Sequence, residues 1–249
     1  LINFRKYKLK QKIAEATKSC NTALAEKLKK NLDAFGILIA DVAGHMIGSS
    51  VIVNYLHGAF KTGFIYEFKH NGEVTPELFE IISSDLYNHM QPDYLQVKPY
   101  TTLQYGEIHS DGRYKWLSAA HPPPFIFSNK YNEIRKLGSD HTKASTPLGV
   151  LPGKFSIDTE HFISPDITNG KFDVNEIQLL GHGDIMLLYT DGLIEHSDGT
   201  SGFRDTGLEN ILRETKDKSA KEICKAIKEG LYSFCPPEDD LTLVVIKKV

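Results

Sequence analysis

Three aspartate-bearing segments hold the residues of this chain best suited to chemistry. "ILIAD" ends at Asp41, "IMLLYTD" ends at Asp191, and "DDLTLVVI" opens at Asp239 and Asp240. Each carboxylate stands at the terminus of a short run rich in Ile, Leu and Val, the composition of a buried strand. The first two close their runs and the last opens its run. If the third strand lies antiparallel to the others, all the carboxylates gather at one edge of a sheet. Several convergent carboxylates without a comparable basic cluster offer hard oxygen ligands to divalent cations. The chemistry they point to is metal-dependent hydrolysis.

Other routes lack a signal. The chain has no P-loop, no dinucleotide glycine fingerprint, no Gly-x-Ser-x-Gly elbow and no paired-histidine zinc motif. Its 249 residues, 41% hydrophobic, can bury a large core. The net charge of −3 is ordinary for a soluble protein. No apolar stretch approaches the roughly 18 residues a membrane span requires, and no signal peptide is visible. Cys20, Cys224 and Cys235 have no metal-type spacing and read as reduced thiols of a cytoplasmic protein.

Charge is uneven at the start. Residues 1–30 carry Arg5, Lys6, Lys8, Lys10, Lys12, Lys18, Lys27, Lys29 and Lys30 against Glu15 and Glu26. Ile13, Ala16, Cys20, Ala23 and Leu24 fall near helical spacing, so residues 1–34 read as a basic amphipathic helical segment with a solvated face. Nucleic-acid binding there would predict salt-sensitive affinity, but the rest of the chain has no reading motif, so no nucleic-acid partner is expected.

The elements that must position the aspartates follow from periodicity. A strand is expected over about Phe35–Val42, then a helix through "VIVNYLHGAFKTGFIY" capped by Ser49 or Ser50. "VTPELFEIISSDLYNHM" reads as a second helix with Thr75 as N-cap and Pro76 in its first turn. "YTTLQYGEIH", "RYKWLSAA" and "FIFS" are strand-like, the first two joined by a hairpin turn at His109–Arg113. "KFSID", "EIQLL", "DIMLLYTD" and "LTLVVIKKV" follow as strands, with a helix over "SAKEICKAIKEGLYSF" and a turn-rich surface insertion at His161–Asp173. Strands outnumber helices without strict alternation, which favours a mostly antiparallel α+β layer fold in one domain.

Five segments in order carry a family resemblance: "DVAGHM" (41–46), "AAHPPPFIF" (119–127), "STPLGV" (145–150), "GDIMLLYTDGLIE" (183–195) and "DDLTLVVI" (239–246). The set resembles the metal-dependent type-2C protein serine/threonine phosphatases, in the bacterial SpoIIE/RsbU-like branch, whose segments read about as DVxGHG, AGHNPP, PLG, GDxLLLYTDG and DDxT. The resemblance covers roughly residues 35–249. It implies an αββα sandwich of two mostly antiparallel sheets flanked by helices, with two Mn2+ or Mg2+ ions at one edge. It further implies that a metal-bridging water attacks the phosphorus of phosphoserine or phosphothreonine. On that reading Asp41 bridges both metals, the Val42 carbonyl adds an oxygen, Asp191 and Asp239 complete the cluster, and Asp240 neighbours it. Gly44 and Gly192 would permit tight turns beside the metals. His45 is a general acid, a substrate contact or a loop anchor, His121 reads as a turn residue, and Thr190 and Thr242 orient the ligands they flank. The implied partner is a phosphorylated protein, for instance a STAS-type anti-sigma-factor antagonist, and the branch often carries an upstream sensor domain.

Two departures stand out. The family's first metal ligand is an aspartate in a "GGDxxD"-like segment upstream of "DVxGHG". This chain has no such segment unless "LINF" is its tail, with Asn3 where the second aspartate would fall. The expectation is therefore a phosphatase domain lacking its N-terminal metal-ligand strand and weakly active by itself. The rival is an inactive module that keeps the fold and binds a signalling partner. Met46, where the family has glycine, is the second departure.

Overall fold

The continuous apolar run that ends at Asp191 becomes a strand buried on both faces: Ile185, Met186, Leu187, Leu188 and Tyr189 are each at most 2% exposed. Runs of this kind anchor both sheets of the computed structural model, which describes residues 1–44, 47–89, 100–135, 137–138, 142–143, 145–151, 171–178, 181–237 and 239–249. His45, Met46, the expected "KFSID" strand and nearly all of the turn-rich stretch at 161–173 lie outside the described residues.

The chain divides into two compact units, the first made of residues 1–110, 115–120 and 143–175 and the second of 111–114, 121–142 and 176–249. The first unit is framed by β1 (Ile2–Asn3), β2 (Ala34–Val42), β3 (Thr101–His109) and β4 (Arg113–Ala119). They are neighbours in that order in a five-stranded sheet ending on β7 (Val174–Gln178). β2 and β3 run antiparallel with Asp41 opposite Thr102 and Val42 opposite Thr101. The hairpin expected at His109–Arg113 joins β3 to β4; Gly112 takes φ 93° and the Asp111 carboxylate accepts from the Arg113 amide at 3.0 Å.

Helices α1 (Leu9–Lys18), α2 (Thr22–Lys30), α3 (Ile47–His70) and α4 (Pro76–His89) complete this unit. α3 buries Ile52, Leu56, Phe60, Phe64 and Phe68, a ladder at i, i+4 spacing that places one stripe in the core. Phe4, fully buried, stacks on Phe64 and Phe68 at 5.8 and 5.4 Å between centroids. Burying one such ring stabilises by about 1.5–3 kcal/mol.

Three local expectations are corrected here. The basic N-terminal segment is two helices, not one. Cys20 has φ 57° and is exposed, breaking the helix, and the Asn21 side chain accepts from the Leu24 amide to start α2. α3 begins at Ile47, ahead of the serines expected to cap it; the Ser49 hydroxyl instead donates to the Gly44 carbonyl at 2.8 Å. Thr75 precedes α4, but its buried hydroxyl makes no hydrogen bond. The Thr75 amide donates to Glu67 instead.

Glu107, 6% exposed, accepts from the Tyr105 hydroxyl at 2.8 Å. Burial pushes its carboxyl above the ordinary range of 4.5, against the opposing pulls of Tyr105 and of Lys115, which is itself 3.3 Å from Glu73. A carboxyl raised on folding gives stability that is full below its unfolded value and is lost as pH rises through its folded value. Glu107→Gln should therefore gain stability over the parent as pH climbs from 4 to 8, read as urea midpoints across that range. A constant difference would refute the linkage.

The second unit holds the four-stranded antiparallel sheet β6-β5-β8-β9, formed by β5 (Phe125–Ser128), β6 (Glu133–Arg135), β8 (Ile185–Tyr189) and β9 (Leu243–Lys247). α5 (Gly192–Glu195), a π-helical turn at Arg204–Leu208, α6 (Glu209–Thr215) and α7 (Ala220–Phe234) lie between β8 and β9 in sequence. α7 opens on a capping box in which Ser219 and Glu222 bond reciprocally, and it buries Ile223, Ile227 and Leu231. These pack with Phe127, Leu187, Tyr189 and Phe203 in a core of their own.

Candidate metal-centre residues

The site residues of the second unit are set by the antiparallel pairing of β8 and β9, with Tyr189 opposite Leu243 and Ile185 opposite Lys247. Because the strands run oppositely, the end of β8 and the beginning of β9 meet at one sheet edge. The segment that carries Asp191, past that end, therefore adjoins the one that carries Asp239 and Asp240, before that beginning.

Threonines sew the edge. The Thr190 amide donates to the Thr242 carbonyl at 3.1 Å, and the Thr242 amide donates to the Thr190 hydroxyl at 3.0 Å. The Asp240 amide donates to Asp239 Oδ1 at 2.7 Å, which orients that carboxylate. The Asp191 carbonyl accepts from the Ile194 and Glu195 amides at 2.7 and 2.9 Å, turning the chain at once into α5. Gly192 makes the closeness possible. A Cβ there would sit 2.7 Å from the Asp240 carbonyl oxygen. Its role is close approach rather than a left-handed turn. Gly44, by contrast, does take φ 96°.

Asp191 Oδ1 is buried with no hydrogen-bond partner. Leaving a buried acceptor unsatisfied costs about 1–3 kcal/mol, more when it is charged. A carboxylate oxygen in that state suits a hard divalent cation, and so do the neighbouring carboxylates of Asp239 and Asp240. Among the described residues no cluster of three or more His, Cys, Asp or Glu side chains stands ready for a metal ion.

Asp41 and Val42 end β2 of the other sheet, so the three aspartates do not share one sheet edge as the sequence suggested. Strand pairing is the reason: β2 is hydrogen-bonded to β1 and β3, whereas β8 lies between β5 and β9. Both residues are half-buried, and the Ala43 amide just beyond them donates to the Tyr100 carbonyl at 2.9 Å.

The sequence makes His121 a turn residue; the structure also sets it beside Asp191. It is 3% exposed and follows Ala120, whose φ is 51°. Burial draws its ring down to about 4, outweighing the Tyr189 backbone hydrogen bond and the Asp191 charge, which both favour protonation. The ring is neutral at pH 7. Its placement in the "AAHPPP" segment was visible; its nearness to Asp191, far along the chain, was not.

No helix of the described residues is long and apolar enough to cross a membrane. The sequence profile of the stage II sporulation protein E (SpoIIE) family matches residues 31–249. Phosphoserine phosphatase RsbU of Bacillus subtilis (strain 168) is 24% identical over 226 residues, covering 88% of this chain. The chain spans 57% of the length of that relative. Among solved structures, the RsbU and RsbW domains of a Mycobacterium tuberculosis protein match at TM-score 0.60 and 19% identity, covering 86% of this chain and 51% of the other. The PP2C phosphatase domain of Bacillus subtilis SpoIIE, with a fragment of its regulatory domain, matches at TM-score 0.56 and 19% identity, covering 86% and 55%. The likeness shows the fold: a PP2C-like arrangement of helices with two antiparallel sheets.

Proposed function

This chain belongs to the SpoIIE family, and from that membership we propose that it is a metal-dependent phosphoprotein phosphatase acting on phosphoserine or phosphothreonine. The observation that carries the reading is the meeting of Asp191, with its buried and unpaired oxygen, and Asp239–Asp240 at the β8–β9 edge. Asp191 and Asp239 would hold a divalent ion, Mn2+ or Mg2+, with Asp240 at its margin. The resemblance would add Asp41 and the Val42 carbonyl, from β2, as further ligands. Bound there, the ions would supply Lewis acidity to a phosphoryl group and acidify a water.

The chain's own residues do the rest. The Asp240 amide orients the Asp239 carboxylate, Thr190 ties the end of β8 to Thr242, and Gly192 lets the two loops touch. Neutral His121, buried beside Asp191, places no positive charge next to that carboxylate. Gly44 and His45 are the proposed substrate contacts. The proposed substrate is a phosphorylated signalling protein of the cytoplasm, such as a STAS-type antagonist in a partner-switching circuit. The RsbU and RsbW pairing of the M. tuberculosis relative supports that direction by analogy only.

Purified chain incubated with a phosphoserine peptide should release phosphate with Mn2+, stop with a chelator, and resume when Mn2+ is restored. No release at any Mn2+ concentration by folded protein would overturn the reading. The rival reading is a non-catalytic module that keeps the fold and docks a signalling partner. Calorimetric Mn2+ titration separates them, since binding supports the enzyme and none supports the module.

A further inference from the structure

We propose that His196 is a positioning residue, a latch that holds the Asp239-bearing loop against the Asp191-bearing turn; the inference rests on the metal-centre reading above. His196 directly follows α5, whose first residue directly follows Asp191. Cys235 closes α7, and only Pro236, Pro237 and residue 238 separate it from Asp239. The side chains of His196 and Cys235 are in contact.

The imidazole is 6% exposed, and its Nε2 lies 3.0 Å from the Leu231 carbonyl in the last turn of α7. A carbonyl can only accept, so Nε2 carries the proton and the ring caps the helix end. The Cys235 sulfur stands 3.4 Å from the same nitrogen and 3.9 Å from Nδ1, and its thiol donates to the Ser197 carbonyl at 3.4 Å. Phe203 meets the ring edge-on at 6.0 Å and Phe234 at 5.8 Å, while the Phe203 amide donates to the His196 carbonyl at 2.9 Å. The ring is therefore fixed on every side that these contacts reach.

Position then travels along the chain. Pro236 and Pro237 have fixed φ and no amide hydrogen, which narrows the directions the chain can take as it leaves Cys235. It arrives where the Asp240 carbonyl packs on Gly192 and where Thr242 bonds to Thr190. His196 touches no carboxylate named above; it acts through the backbone. Outer groups of this kind set metal affinity by orienting the ligands.

The test uses the full chain, with circular dichroism as a check on folding. In metal-free protein, the Asp240 and Thr242 amides of His196→Leu should exchange with solvent about tenfold faster than in the parent, and Mn2+ should bind about tenfold more weakly. His196→Gln, whose side-chain amide can still donate to the Leu231 carbonyl, should recover both. Cys235→Val, which removes only the thiol contacts, should accelerate exchange less than His196→Leu and serves if the latter fails to fold. Parent-like exchange in folded His196→Leu, or a Gln variant as impaired as the Leu variant, would overturn the latch. Absence of Mn2+ binding by the parent would overturn the metal-centre reading instead, while the exchange rates alone would still decide the latch.

Discussion

Asp191→Asn should reduce phosphate release by about 10²–10³-fold at saturating peptide, the range expected when one preorganised electrostatic element is removed. The amide keeps the shape of the carboxylate but loses the charge that a divalent cation requires, so Mn2+ affinity should fall with it. The same change should stabilise the metal-free protein. Asp191 Oδ1 is buried with no hydrogen-bond partner, and neutralising it removes that desolvation cost. Opposite signs for activity and apo stability mark a residue kept for function. Kinetics with a phosphoserine peptide and thermal melts in chelator provide both readings. If Asp191→Asn keeps more than about a tenth of parent turnover, the assigned role is wrong. Adding Asp239→Asn to it should cost little more, since ligands of one centre act as a unit.

Gly192→Ala is the second large effect. Alanine is the better helix former by about 1 kcal/mol, so local propensity alone would stabilise α5. The added methyl, however, would lie 2.7 Å from the Asp240 carbonyl oxygen and 3.9 Å from the Asp239 Cβ. The first neighbour is backbone and cannot swing away, so the β9 loop must move. A displacement on the scale of an ångström at reacting groups can cost about 10²-fold in rate. We expect turnover to fall by about that factor and the urea midpoint to drop despite the better propensity. Parent-like turnover would show that the Gly192–Asp240 contact does not set the site.

Several elements were legible before any fold was seen because their signals are local. The helical periodicity of "SAKEICKAIKEGLYSF" lies within one segment, and α7 forms there. The Asp111–Gly112 turn announced the β3–β4 hairpin for the same reason. The N-terminal helix misled, since its apolar spacing continues past a residue, Cys20, whose φ of 57° ends the helix. Periodicity reports which face is apolar and says little about where the backbone breaks. Thr75 misled in another way: it has the type and place of a cap, but Glu67 takes its amide and the hydroxyl goes unused.

For the aspartates the division is sharp. Sequence by itself determined that Asp41, Asp191 and Asp239 stand at the termini of apolar runs and which family the ordered segments resemble. Its expectation that all these carboxylates share one sheet edge holds for the strand ends at Asp191 and Asp239 and fails for Asp41. Each of these depends on residue type and spacing within a short stretch. Only the tertiary structure decided that β2 belongs to a different sheet from β8 and β9, that Gly192 is needed for close approach, and that His121 stands beside Asp191. It also decided that His196 reaches the end of α7. These are contacts between residues distant along the chain, chosen by which strand edges pair and which side chains fill one core. No local preference encodes that choice, because its energy exists only when the whole chain is folded.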